Sequence, residues 1–148
     1  MKKKLAHFLA VGAALTLLAA SASGASAAIR IVKIYYDSPG ADNGSNASLN
    51  AEWIRIKNTG NSARQLNNWR IRDAAGHVYK FGSLSLPAGA AVKLHTGSGY
   101  DSYPHHLYWG QGNYVWNNVK DTAKLKRPNG TVADKCSYNN ASASAKVC

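Results

Sequence analysis

From Ile29 onward, apolar and polar residues alternate in short runs, and helical periodicity is nearly absent. A period of two sends successive side chains to opposite sides of a strand, so each run can bury only one of its sides. The pattern predicts strands at Ile29–Tyr36, Glu52–Asn58, Trp69–Arg72, Val78–Phe81 and Ala91–Thr96. It predicts four more at Leu107–Trp109, Tyr114–Trp116, Thr122–Arg127 and Thr131–Ser137. Turn-forming residues fall between them, at Ser38-Pro39-Gly40, Asn58-Thr59-Gly60-Asn61, Ala75-Gly76 and Leu86-Pro87-Ala88-Gly89. Asn129-Gly130, set between two alternating runs, is a hairpin signal. The longest turn-like stretch, Asp37 to Asn50, reads as a long loop.

The same alternation assigns faces. Ile54 and Ile56 oppose Arg55 and Lys57; Trp69 and Ile71 oppose Arg70 and Arg72. Val92 and Leu94 oppose Lys93 and His95; Ala123 and Leu125 oppose Lys124 and Lys126. An apolar inner side and a basic outer side on several strands imply two antiparallel sheets packed face to face, an all-β, immunoglobulin-like sandwich. Adjacent Ile31 and Val32 break the alternation of the first run, which calls for a bulge or a strand covered on both sides.

Residues 1–27 have a different composition. Lys2, Lys3 and Lys4 precede an apolar stretch from Leu5 to Ala20, and Ala25-Ser26-Ala27 supplies small residues before a cleavage point. This is the pattern of an export signal, cleaved after Ala27 to leave Ala28 as the new terminus, or one residue on. The expectation is a secreted product, extracellular or cell-wall associated, without a transmembrane segment in the mature chain. It would comprise a sandwich over residues 28–138 and a short tail over 139–148. Cys136 and Cys148 are the chain's two cysteines, and in an exported protein an even pair favours a disulfide. The tail segment between them is small and polar, and reads as a loose end clipped by that bond.

Ile34 to Gly40 followed by Leu49 to Asn58 resembles the opening of the lamin tail domain. So do Leu66 to Asp73, Leu86-Pro87-Ala88-Gly89 with Val92, and Val115 to Leu125, which is similar to that family's Trp–Asn turn and following strand. The resemblance runs from about Ile29 to Tyr138, and the stand-alone secreted proteins of high-GC Gram-positive bacteria are the nearest in kind. It implies an immunoglobulin-like sandwich used for binding or tethering. One departure is Lys120, where the family pattern leads one to expect glycine before Asp-Thr-Ala.

Charge points to the partner. The chain carries 18 Lys and Arg against 7 Asp and Glu, a net +11, and +8 remains once the three leader lysines are removed. Arg55, Lys57, Arg70, Arg72, Lys93, Lys124 and Lys126, all outward by alternation, are the candidate binding residues. They suit an anionic polymer such as a cell-wall phosphate polymer or extracellular DNA. A second reading is a carbohydrate-binding module using exposed Tyr100 and Tyr103 with Trp109. In a third, exposed strand edges pair with a secreted protein. A hydrolase is the weakest reading, because no nucleophile elbow, paired carboxylates or ligand-spaced histidines mark a catalytic centre. His77, His95, His105 and His106 read as surface or turn residues. Asp37, Asp42 and Glu52, with Asn43, Ser45 and Asn46, are calcium candidates on an oxygen-rich loop, although their spacing is not that of an EF-hand. No catalytic residue and no cofactor are expected.

Overall fold

The apolar sides of the alternating runs meet in one core between two sheets. A computed structural model describes residues 29–148; the expected leader and its cleavage at Ala27 or Ala28 lie outside the described residues. The first half runs β1 (Ile29–Tyr35), α1 (Asn46–Ala51), β2 (Trp53–Asn58), β3 (Arg64–Gln65), β4 (Arg70–Arg72) and β5 (Val78–Lys80). The second half runs β6 (Ser85–Leu86), β7 (Ala91–His95), β8 (His106–Tyr108), β9 (Lys120–Lys126), β10 (Val132–Asn139) and β11 (Ala145–Val147). A five-stranded sheet, ordered β11-β1-β2-β7-β8, faces a four-stranded sheet, β10-β9-β4-β5, with β3 and β6 forming a short ribbon. This is the all-β, immunoglobulin-like sandwich expected from the alternation. The β7–β8 pair is parallel, so the larger sheet is mixed rather than wholly antiparallel.

Ile34, Ile54, Ile56, Val92, Leu94 and Leu107 from one sheet bury against Ile71, Ala123 and Leu125 from the other, with Trp116 and Phe81 filling between. Each such aliphatic side chain contributes about 1.5–3 kcal/mol of transfer free energy, enough to make the period-two pattern decisive. The irregular first run resolves as a bulge. Pairing between β1 and β2 shifts register between Ile31 and Lys33, which restores Ile34 to the core after the adjacent apolar pair. The Asn129-Gly130 step closes the β9–β10 hairpin, with Gly130 at φ 86° and its N–H donating to the Arg127 carbonyl at 2.9 Å.

Three expectations are corrected. Tyr114–Trp116 is not a strand but an irregular segment, in which Trp116 is core and the Val115 N–H donates to the side chain of Glu52 at 2.8 Å. Asp37–Asn50 is not one loop: it contains most of α1, capped by Ser45, whose Oγ accepts the Ser48 N–H at 3.2 Å. Six residues with only Leu49 buried are too short to show a helical period. Finally, the tail is not loose. β11 pairs with the outer edge of β1, and the Ser144 carbonyl accepts from the Tyr36 and Asp37 N–H groups. Strand pairing of this kind uses main-chain groups, so small polar side chains gave no sign of it.

The Cys136–Cys148 disulfide is formed, with Cα atoms 5.9 Å apart. It joins β10 of one sheet to the chain end just beyond β11 of the other. It thus cross-links the sandwich as well as closing a 12-residue separation, a constraint contributing about 3 kcal/mol in chain-entropy terms. Lys120 opens β9 opposite Asn139, and Asn68 is the one non-glycine with positive φ among the described residues, so the position requires no glycine.

Candidate functional site

Strand register turns the predicted basic residues into two sets. On the outer face of the four-stranded sheet, Arg70 stands opposite Lys80 on one side and Lys126 on the other. Two residues along, Arg72 stands opposite Lys124, which itself faces Lys135. Neighbouring strands lie about 4.8 Å apart, so these are rows of like charge at short range. Directly opposed like charges destabilise a sheet, so the arrangement is not what folding alone selects.

The outer face of the five-stranded sheet is layered differently. Lys33, Arg55, Lys93 and His106 are in register across β1, β2, β7 and β8, and Lys57 lies opposite Arg30 in the next row. The adjacent row on the other side is aromatic: Tyr35, Trp53, His95 and Tyr108. Tyr35 stacks on Trp53 at 5.5 Å between ring centroids, and His95 stacks on Tyr108 at 5.0 Å. Lys93 lies 4.4 Å from the Trp53 centroid, and Lys33 lies near both the Trp53 and Tyr35 rings. The Trp53 ring is therefore engaged by Tyr35 and by two ammonium groups. It holds those cations by cation–π attraction rather than forming an open platform for bases or sugars.

A shallow cavity of about 250 Å³ opens on this face, lined by Arg55, Ala91, Lys93, His105 and His106. His95 Nδ1 lies 2.7 Å from the Asn50 carbonyl, which can only accept, so Nδ1 donates there. That leaves His95 Nε2 to accept from His106 Nδ1 at 3.0 Å. Burial, followed by the neighbouring His106 and Lys93 charges, pushes the His95 pKa down against the opposing effect of the Asn50 bond, so His95 favours its neutral form. The expectation of plain surface histidines is thus corrected for His95 and His106, which form a linked, part-buried pair. Parallel pairing of β7 with β8 creates that pair, and adjacency in sequence could not reveal it.

The acids behave in the opposite way. Asp121 accepts the N–H groups of Ala74, Asn117 and Thr122, and Asp73 accepts those of Gly76 and His77 together with the His77 ring. Asp134 accepts the Ile31 N–H and pairs with Arg30 at 3.3 Å; Asp101 accepts the Tyr108 N–H. Asp37 and Asp42 share the Asn118 side-chain amide. Glu52 is fully buried and accepts from Thr96 Oγ1 at 2.6 Å and the Val115 N–H at 2.8 Å. Desolvation pushes its pKa up to about 7, with Asp42 adding slightly and the hydrogen bonds opposing. All seven carboxylates of the chain thus have internal hydrogen-bond partners. Of the 15 Lys and Arg among the described residues, Arg30 alone pairs with one of them.

Glu52 is thus held inside the fold by Thr96 and Val115. Ser45 caps α1, Asn43 accepts the Ser45 N–H, and Asn46 clamps the backbone of Ser98. Among the described residues, no three His, Cys, Asp or Glu side chains converge on a metal-sized site. Tyr100 and Tyr103 are exposed, at 98% and 53%, whereas Trp109 packs edge-on against Tyr79 and Trp116 and is not part of an open surface with them. Lys33, Lys80 and Lys135 were missed at the sequence level. Alternation within Val78–Phe81 and Thr131–Ser137 already marks Lys80 and Lys135, but Lys33 was hidden by the bulge that reverses its face.

The family model described as Lamin Tail Domain matches residues 22–140, most of the chain. The match starts within the stretch read as a leader and stops before β11 and Cys148. No curated relative matches the chain.

Proposed function

The chain belongs to the lamin tail domain family, and from that premise we propose that it is a secreted, non-catalytic module that holds an anionic polymer on its outer sheet faces. The observation carrying this reading is the division of charge. Every carboxylate is engaged by hydrogen bonds within the fold, three of them (Glu52, Asp73 and Asp121) buried, while cations on both outer faces, Arg30 excepted, confront one another across strands without acid partners. Such rows attract a polyphosphate backbone through counterion release, with little dependence on sequence. Extracellular DNA and wall phosphate polymers share the phosphodiester chemistry, and the Lys-rich start with Ala25-Ser26-Ala27 supports export as the route to them.

Fluorescence anisotropy with a labelled DNA duplex tests the reading. Binding at low salt should weaken steeply as salt rises, with a log–log slope approaching about −5 if the six cations of the four-stranded face each neutralise a phosphate. No binding at roughly 20 mM salt, where screening is weakest, would overturn it. Exposure of Tyr100 supports a neutral glycan as the second reading. Retention on a glycan column that persists at about 1 M salt would favour that alternative.

A further inference from the structure

We infer that the domain bridges two DNA duplexes, one on each outer sheet face; this rests on the polyanion reading above and goes one step beyond it. The cations do not form one surface. Arg70, Arg72, Lys124 and Lys126 belong to the four-stranded sheet, whereas Arg55, Lys57 and Lys93 belong to the five-stranded sheet on the opposite side of the core. The two backbone layers are about 10 Å apart, and the outward side chains widen the separation further. That exceeds a Debye length of about 8 Å at physiological salt, so filling one face leaves the attraction of the other largely intact.

A single duplex cannot serve both faces. Its persistence length is about 50 nm, so folding it around a body this thin demands a bend that a few phosphate contacts do not repay. The duplex also carries one charge per about 1.7 Å of axis, which matches closely packed cation rows better than a sparsely charged flexible chain does. The Trp53 ring is engaged by Tyr35, Lys33 and Lys93 and offers no open platform on which bases stack, so attraction to the phosphate backbone is the term these faces supply. The face that remains open after the first binding event therefore takes a second, separate duplex, whatever its sequence. The product is a cross-linked DNA network rather than a coated strand.

The test is a co-capture assay with the purified protein, one duplex fixed to beads and a second, labelled duplex in solution. Labelled duplex should reach the beads at intermediate protein concentration and fall away at excess, when each duplex carries its own protein. Two variants separate the faces: Arg70→Gln with Arg72→Gln and Lys124→Gln, and Arg55→Gln with Lys57→Gln and Lys93→Gln. These exposed or half-exposed cations have no acid partner, so both variants should fold; the first should melt at or slightly above the parent, and the second slightly below it, because it gives up the Lys93 contact with the Trp53 ring. Each should still bind a duplex in the anisotropy assay but lose co-capture by at least about fivefold. Full co-capture by either variant would overturn the inference, because bridging would then come from self-assembly through one face. Duplex binding by the parent without co-capture would overturn bridging while leaving the polyanion function standing; no duplex binding would remove both. A flexible poly(glycerol phosphate) that displaces the duplex at equal phosphate concentration would overturn DNA as the occupant.

Discussion

Asp121 and Lys124 stand three residues apart on β9, and they meet opposite fates. Asp121 is buried and accepts three backbone N–H groups, those of Ala74 and Asn117 from loops and that of its β9 neighbour Thr122. Lys124 points outward between Arg72 and Lys135, in register with both. The same contrast divides the whole molecule. Carboxylates stitch loops to strands, and cations are left facing outward in rows. A protein whose net charge came from solubility alone would intersperse the two signs on its surface. Here Glu52, Asp73 and Asp121 are buried, and the remaining acids are tied up as hydrogen-bond acceptors nearer the surface, which leaves the basic excess of the composition to face outward in rows.

The sharpest way to break the contrast is Asp121→Ala. Three N–H groups would lose a charged acceptor in a half-buried turn cluster, a loss of about 3 kcal/mol in chemical denaturation. A loss below about 0.5 kcal/mol, the size of an ordinary surface change, would show that the acids are not structural.

Next in size is the pH response of Glu52. Its carboxyl is raised from 4.5 to about 7 in the fold, so the folded state holds a proton that the unfolded chain releases across that interval. Stability from this group therefore falls as pH rises from about 4.5 to 7, by up to about 3 kcal/mol. His95 acts in the other direction: its folded pKa is lowered, and its contribution grows as pH rises through about 6.5. Melting midpoints across pH 4.5 to 8 should show Glu52→Gln losing the falling leg and keeping the rising one. Parallel profiles for parent and variant would contradict this account of the buried carboxyl.

The smallest effect belongs to the cations. Arg72→Gln with Lys124→Gln removes an in-register repulsion, so stability should stay level or rise by about 0.5 kcal/mol. The salt slope for duplex binding should become shallower by nearly 2 in the same variant. A destabilised protein with an unchanged slope would place these residues among the structural groups instead.

Much of this was legible before folding was considered. Alternation identified Ile54, Ile56, Val92, Leu94 and Leu125 as core, and turned Arg55, Lys93 and Lys124 outward. Late, paired cysteines suggested the bond that the structure contains. The misses share one cause. β11, β3 and β6 exist through main-chain pairing with distant partners, and α1 through a cap and one buried leucine; none of them leaves a periodic trace. Tyr114–Trp116 alternates well enough for a strand, yet Glu52 takes its backbone N–H where a neighbouring strand would have been needed.

What the sequence determines by itself is local: the period of each run, the side of the strand each cation occupies where the run is regular, the turn at Asn129-Gly130, and the excess of positive charge. Those follow from strand geometry and composition, which need no partner. Which cations become neighbours was decided only by the tertiary structure. Lys33 joins Arg55 and Lys93 through a bulge and two pairings, Arg72 meets Lys124 across 52 positions, and the seven predicted residues separate onto two opposite faces. Charge–charge interaction depends on distance in space, and strand order sets that distance. The acids illustrate the same point, since a carboxylate becomes structural only when a loop from elsewhere in the chain brings its N–H within reach.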